Sequence, residues 1–178
     1  MTDSDNALNQ IYQACVDAGP STCPLYESSA DKVSARVDKL LDSLKTQPLS
    51  FFNSTINDFG VLDYSTAKFA VLQTIYKPYN VVGGGASLLS AIAAAEQGEG
   101  RPLYDTFIGA PSSSPFECPT SAVDQVSFAS GLESQWSVRC GDLSRPPLSL
   151  DELKANYAET EHDSHFFGEA WHFNLGCA

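Results

Sequence analysis

The chain has 178 residues, 43% of them hydrophobic and 18% charged, with seven Tyr, ten Phe and two Trp; this describes a folded protein with a real core rather than a disordered one. The formal net charge is −12 with only ten Lys and Arg, so phosphate backbones and anionic membrane surfaces are repelled and nucleic acid is excluded as an expected partner. No run of about 18 apolar residues is present, so no membrane-spanning helix is expected, and the polar start Met1-Thr2-Asp3-Ser4-Asp5 has no signal-peptide character.

Residues 3–18 read as a helix. Asp3 or Ser4 can cap it, and Leu8, Ile11, Tyr12 and Cys15 supply the apolar stripe. Gly19-Pro20 ends it. Cys23 follows eight residues after Cys15, and a disulfide between them would pin the turn back onto the helix it leaves. Residues 29–46 carry the clearest amphipathic pattern, with Val33, Val37, Leu40, Leu41 and Leu44 on one face. Residues 49–62 change period and suggest a short β-hairpin. Asp63 can cap a helix over 64–77, which Lys77-Pro78 closes.

Gly83-Gly84-Gly85 precedes a helix at 86–97 with Leu88, Leu89, Ile92 and Ala93 inward. A glycine run before a helix can cradle a phosphate, but no Lys-Ser/Thr follows and a flexible loop is the expectation. Residues 98–102 read as a turn, and 109–120 as an irregular, mobile loop. A weakly patterned helix is expected at 121–131. Trp136 to Cys140 reads as a short buried extended segment. Ser149-Leu150-Asp151-Glu152 forms a capping box that opens a helix to about residue 160, and a last short helix is expected over 166–173. The whole chain, 1–178, reads as a single domain.

Five cysteines (Cys15, Cys23, Cys118, Cys140 and Cys177) contain no C-x-x-C pair. Zinc and thioredoxin-like sites are therefore not expected, and disulfides with one cysteine left over are. Asn53-Ser54-Thr55 is a glycosylation sequon and points towards a secretory origin.

Several stretches together resemble one family. Cys15 to Leu25 is similar to a C-x-x-A-G-P-x-x-C-x-L signature, and Gly60 to Ser65 to a V-x-D-Y-S step into a helix. Ala91 to Pro102 resembles an A-L-A-A-A-E-x-G-D-G-x-P stretch. Val138 to Asp142 resembles I-x-C-x-D, and Leu148 to Glu152 a T-L-E-E helix start. Phe167 to Trp171 followed by Leu175 to Ala178 resembles F-G-x-x-W … L-x-C-A-G-W. In this order the segments resemble the lid of fungal secreted α/β-hydrolases of the tripeptidyl-aminopeptidase-like family, across almost the whole chain.

The resemblance implies a mainly α fold: an irregular, disulfide-held helical cap with a short hairpin near residues 49–62. It also implies the pairings Cys15–Cys23 and Cys140–Cys177, with Cys118 left over, and a secreted location. In that family the nucleophile elbow G-x-S-x-G precedes the lid, and the acid and histidine follow it. The sequence has no G-x-S-x-G. The expectation is a chain that begins after the elbow and stops before the acid, with no catalytic residue, metal or cofactor of its own.

Candidate substrate-facing residues remain. His162, His165 and His172 lie with Glu161, Asp163 and Glu169 near the end, where the family pattern has no histidines; His162 and His165, three apart, can share a helical face and a metal. Exposed polar positions on an amphipathic segment are the plainer reading, with Phe166 and Phe167 buried. Arg139 and Asp142 beside Cys140 can form a structural ion pair or hold a carboxylate. Phe59 and Tyr64 belong to an aromatic run, Phe51 to Tyr79, that serves either a core or a substrate channel. No serine is singled out for a Ser–His–Asp triad.

Three functions stay open. The first is a cap over the core of a serine α/β-hydrolase that cleaves peptide or ester bonds. The second is a stand-alone lid-derived protein that binds a small apolar molecule, with a cyclase of secondary metabolism as one form. The third is a secreted, non-enzymatic binding protein. An isolated lid would expose the face that meets its core, so self-association is a further expectation.

Overall fold

The computed structural model describes residues 2–55, 58–80, 84–108 and 149–168 together with positions 138 and 141. They fall in two compact units, Thr2–Pro111 and Ser112–Ala178 with Met1. The fold is mainly helical with one two-stranded antiparallel hairpin. No helix among the described residues is long and apolar enough to cross a membrane.

In the first unit α1 spans Thr2–Ala18. Asp3 and Asp5 sit in its first turn, where the helix dipole favours negative charge. Leu8, Ile11, Tyr12 and Cys15 are all buried, so the sequence stripe is the packed face. Gly19 ends the helix at φ 77°, a left-handed conformation that glycine adopts without steric cost. The amides of Thr22 and Cys23 then both donate to the Gly19 carbonyl, at 3.1 and 3.0 Å. This tight turn brings Cys23 back to Cys15, and the two form a disulfide with Cα atoms 5.3 Å apart.

Helix α2 spans Ala30–Leu44 and starts where the Ser29 hydroxyl accepts the Lys32 amide. Its Val33, Val37, Leu40, Leu41 and Leu44 are buried. The hairpin pairs β1, Leu49–Asn53, with β2, Asp58–Leu62, in the register Leu49↔Leu62, Phe51↔Gly60 and Phe52↔Phe59. Leu49, Phe51, Gly60 and Leu62 share the inward face. The Phe51 ring lies against Gly60 so closely that a Cβ there would overlap it. On its other side the ring meets Tyr104 edge-on at 4.9 Å and the Arg101 guanidinium at 5.3 Å.

Asp63 caps α3, Tyr64–Ile75, accepting the Thr66 amide at 2.8 Å. Helix α4 follows over Gly85–Glu96, with Leu88, Leu89, Ile92 and four small residues buried. Helix α5, Arg101–Ile108, packs against α3, α4 and β2. It corrects the expectation of a turn over 98–102: Arg101 and Pro102 are its first two residues. Proline is well tolerated in a first turn, where its missing N–H has no partner to lose. Arg101 then reaches forward one turn to both carboxylate oxygens of Asp105, at 2.7 and 2.8 Å.

The second unit contains α6, Leu150–Asp163. Its capping box is complete: the Glu152 amide donates to the Ser149 hydroxyl, and the Ser149 amide donates to the Glu152 carboxylate at 2.8 Å. Beyond the helix, Ser164 is buried and its hydroxyl accepts the Phe167 amide at 3.0 Å. Phe166 and Phe167 are both buried, as expected, with ring centroids 4.7 Å apart. Val138 is helical and 61% exposed, which corrects the buried extended conformation expected at that position; the rest of 136–140 lies outside the described residues. The loop at 109–120, the helix at 121–131, the last helix from 169 onward and the Cys140–Cys177 pairing lie outside the described residues.

Candidate functional site

The described residues of the first unit enclose an open groove of about 620 Å³. Three pieces of chain build it. The exposed side of α1 contributes Ala7, Ala14 and Ala18, with Ile11 deeper. The disulfide turn contributes the Cys15–Cys23 bridge and Pro24. The end of α3 and the start of α4 close the far side with Ile75, Tyr79 and Leu89. The groove exists because alanines on α1 are too short to fill the space that the disulfide turn and α4 leave beside it. Its volume lies within the range of small-molecule sites, about 300–1,000 Å³.

The chemistry of this groove is apolar. Gln10, Thr22 and Tyr79 are the polar side chains among its described lining residues, and Tyr79 is the one ionisable group. Tyr79 is almost fully exposed, so its ring stands as a rim. Such a surface can bind and orient an apolar group and exclude water from it, but it offers no acid–base pair for bond cleavage.

A buried polar group lies on α1, outside the groove lining. Tyr12 is 2% exposed and its hydroxyl is buried with no hydrogen-bond partner among the described residues. Burial pushes its phenol far above the ordinary value, and the negative charges of Asp38 and Asp5 push it further. Tyr12 is therefore neutral at any working pH and is no nucleophile.

The expected site residues are scattered. Arg139, Asp142 and His172 lie outside the described residues. His162 sits in the last turn of α6 with its side chain 91% exposed, and its Nδ1 is 3.9 Å from the Asp163 carboxylate. Ser164 ends the helix, so His165 falls beyond it. The shared helical face expected of these two histidines is not formed, and no cluster of three metal-ligating side chains occurs among the described residues.

Phe59 and Tyr64 belong to the first unit, yet neither lines the groove. Tyr64 instead gathers lysines: Lys45 and Lys68 lie 4.6 and 5.2 Å from its ring centre, and Lys68 donates to its phenol oxygen at 2.9 Å. Phe59 is on the outward face of the hairpin and 57% exposed. The aromatic run forms neither alternative as a block. Phe51, Tyr64 and Phe69 are half-buried, Phe52, Phe59 and Tyr76 are exposed, and Tyr79 reaches the groove.

The sequence pattern missed the groove walls Ala14, Ala86 and Ile75. An exposed alanine carries no signal of its own, because it becomes a wall only when a neighbouring element stands beside it.

Fold and groove together define a disulfide-tied, mainly helical protein with an apolar groove. No family model, curated protein or solved structure matches the chain.

Proposed function

We propose that this chain is the cap domain of a secreted serine α/β-hydrolase similar to the tripeptidyl-aminopeptidase-like enzymes. The observation that carries the reading is the position of the C-x-x-A-G-P-x-x-C segment, whose disulfide turn forms one wall of the apolar groove. In this reading the groove is part of the substrate channel. The hydrolase core supplies the nucleophilic serine, the histidine and the acid. The cap selects apolar groups by size and keeps bulk water from the acyl-enzyme until hydrolysis. Passage through the secretory pathway is supported by the disulfide, which persists in oxidising compartments, and by the Asn53 sequon.

A test uses the native polypeptide that contains these residues. Treated with a fluorophosphonate probe and digested, it is expected to be larger than the 19.1 kDa of this chain and to carry the label on a serine in a G-x-S-x-G peptide outside it. A native polypeptide of 19.1 kDa that takes no label overturns the cap reading.

The groove also favours a second reading, a stand-alone protein that binds a small apolar molecule. Its volume suits a drug-sized ligand. An unlabelled 19.1 kDa protein that co-purifies with such a molecule would support it.

A further inference from the structure

Tyr79 stands at the rim of the groove and is 98% exposed. Covered aromatic rings dominate the energetics of binding surfaces, because each carries a large rigid apolar area on few rotatable bonds. The groove beside this ring is apolar, so a ligand seated in it can cover the ring as well.

The backbone that carries the ring is held on both sides. The Asn80 amide donates to the Lys77 carbonyl at 3.1 Å, and the Gly85 amide to the Pro78 carbonyl at 2.8 Å. Pro78 fixes its own φ through its ring, and Gly84 lies so close to Asn80 that a Cβ there would overlap the Asn80 backbone. A side chain whose backbone is placed before the ligand arrives loses less freedom on binding. On α1, Ala7, Ala14 and Ala18 line the same groove. Their methyl groups form a low surface on which a flat ring rests along its length, whereas a puckered or branched group touches it at points. Gln10 and Thr22 are exposed and uncharged in the same lining, so the polar end of a ring system meets neutral partners.

We propose that the groove takes a flat aromatic group and that Tyr79 is the residue that selects it. The Tyr79 ring meets the ligand ring offset or edge-on, and the α1 alanines receive the rest of the ligand ring. An aromatic pair of this kind adds about two- to twelvefold in affinity beyond the area it buries. This selectivity rests on the groove being a binding surface, as proposed above. It applies equally to a ring carried by the substrate of a hydrolase core and to a free small molecule.

The experiment uses the native polypeptide that contains these residues and its Tyr79→Leu, Tyr79→Phe and Ala14→Leu variants. Each is titrated with 2-naphthol and with decahydro-2-naphthol, which share a carbon skeleton and a hydroxyl but differ in aromaticity. The ratio of the two affinities is expected to fall about two- to twelvefold in Tyr79→Leu and to stay unchanged in Tyr79→Phe. Tyr79 is almost fully exposed, so neither replacement disturbs the fold. Ala14→Leu narrows the groove without adding a ring and is expected to weaken both ligands. Fluorophosphonate labelling separates the two sources of the ring. In a labelled polypeptide the same fall appears in the kcat/KM ratio of the two acetate esters; in an unlabelled one it appears in binding alone. A ratio that Tyr79→Leu leaves unchanged overturns the proposal. So does wild-type affinity for both ligands in Ala14→Leu, or binding of neither by the wild type. Those outcomes leave the serine label, and with it the cap role, untouched, whereas an aromatic preference without the label overturns the cap role alone.

Discussion

Arg36 on α2 and Glu96 at the end of α4 hold each other through two parallel hydrogen bonds. Nε donates to Oε1 at 2.9 Å and Nη2 to Oε2 at 2.7 Å, across 60 positions of sequence. Nη1 also reaches Glu27 at 3.3 Å, so one guanidinium ties two helices and the segment before α2. The Glu96 hydrogen bonds raise the guanidinium further above its ordinary value. Both side chains are partly exposed, at 31% and 23%, so solvent screens part of the attraction. A double-mutant cycle of Arg36→Ala with Glu96→Ala is expected to give a coupling of about 1 kcal/mol. Arg36→Lys keeps the charge but loses the fork, and is expected to recover less than half of it. A coupling near zero would mean that the pair is decoration.

The Cys15–Cys23 bridge closes a loop of only eight positions. Restriction of the unfolded chain by such a short loop contributes about 2–3 kcal/mol. Cys15→Ala/Cys23→Ala is expected to lower the unfolding free energy by that amount, read from urea denaturation as a lower midpoint. The same variant is expected to weaken binding in the groove, because the turn that forms its wall is no longer held. Unaltered stability would place the reference state elsewhere, in a denatured chain that already keeps the turn.

Asp63 gives a pH signature. Its hydrogen bonds with Thr66, the backbone amide first, hold its carboxyl below the ordinary carboxylate value. The folded value lies below the unfolded one, so the charge stabilises above the ordinary carboxylate range. That contribution is lost as pH falls through the folded value. Asp63→Asn keeps a capping oxygen without the charge. The wild-type advantage over Asp63→Asn is expected to be present at about pH 6 and to shrink as pH falls below the ordinary carboxylate range, and to be small throughout because the side chain is mostly solvated. Melting curves whose difference does not change with pH would show that the charge plays no part. Asp63→Ala removes the cap altogether and is expected to cost about 1 kcal/mol at any pH where the protein folds.

Tyr12→Phe is expected to leave stability unchanged or to raise it by up to about 1 kcal/mol. The Tyr12 hydroxyl is buried with no partner among the described residues, and an unsatisfied buried hydroxyl lost its water contacts without replacement. A loss of more than about 1 kcal/mol would mean that the hydroxyl is hydrogen-bonded in solution.

Ala14 lies on the exposed side of α1 in the wall of the groove. Ala14→Phe is expected to fill the groove without entering the core, so the melting point should hold. If the groove is a substrate channel, kcat/KM of the native hydrolase is expected to fall at least about tenfold for substrates with a bulky apolar group. It should fall little for small esters. Equal effects on both would remove the groove from the channel.

The sequence by itself determined the elements whose signals are local. Asp63 and the Ser149–Glu152 box start two helices by satisfying amides within a single turn, and Gly19 ends one by adopting a left-handed conformation. The apolar stripe of α2 and the change of period at 49–62 needed no partner to be legible either. Helix α5 was not legible: Gly100-Arg101-Pro102 has the composition of a turn, and eight residues give too little period to outweigh it. The same limit applies to His162 and His165, whose spacing is helical but whose helix stops between them at Ser164. Only the tertiary structure decided the groove, the Phe51–Gly60 contact and the Arg36–Glu96 tie. Each depends on residues distant in sequence meeting across elements, and the alanines of α1 become a groove wall only because a disulfide turn and α4 stand beside them.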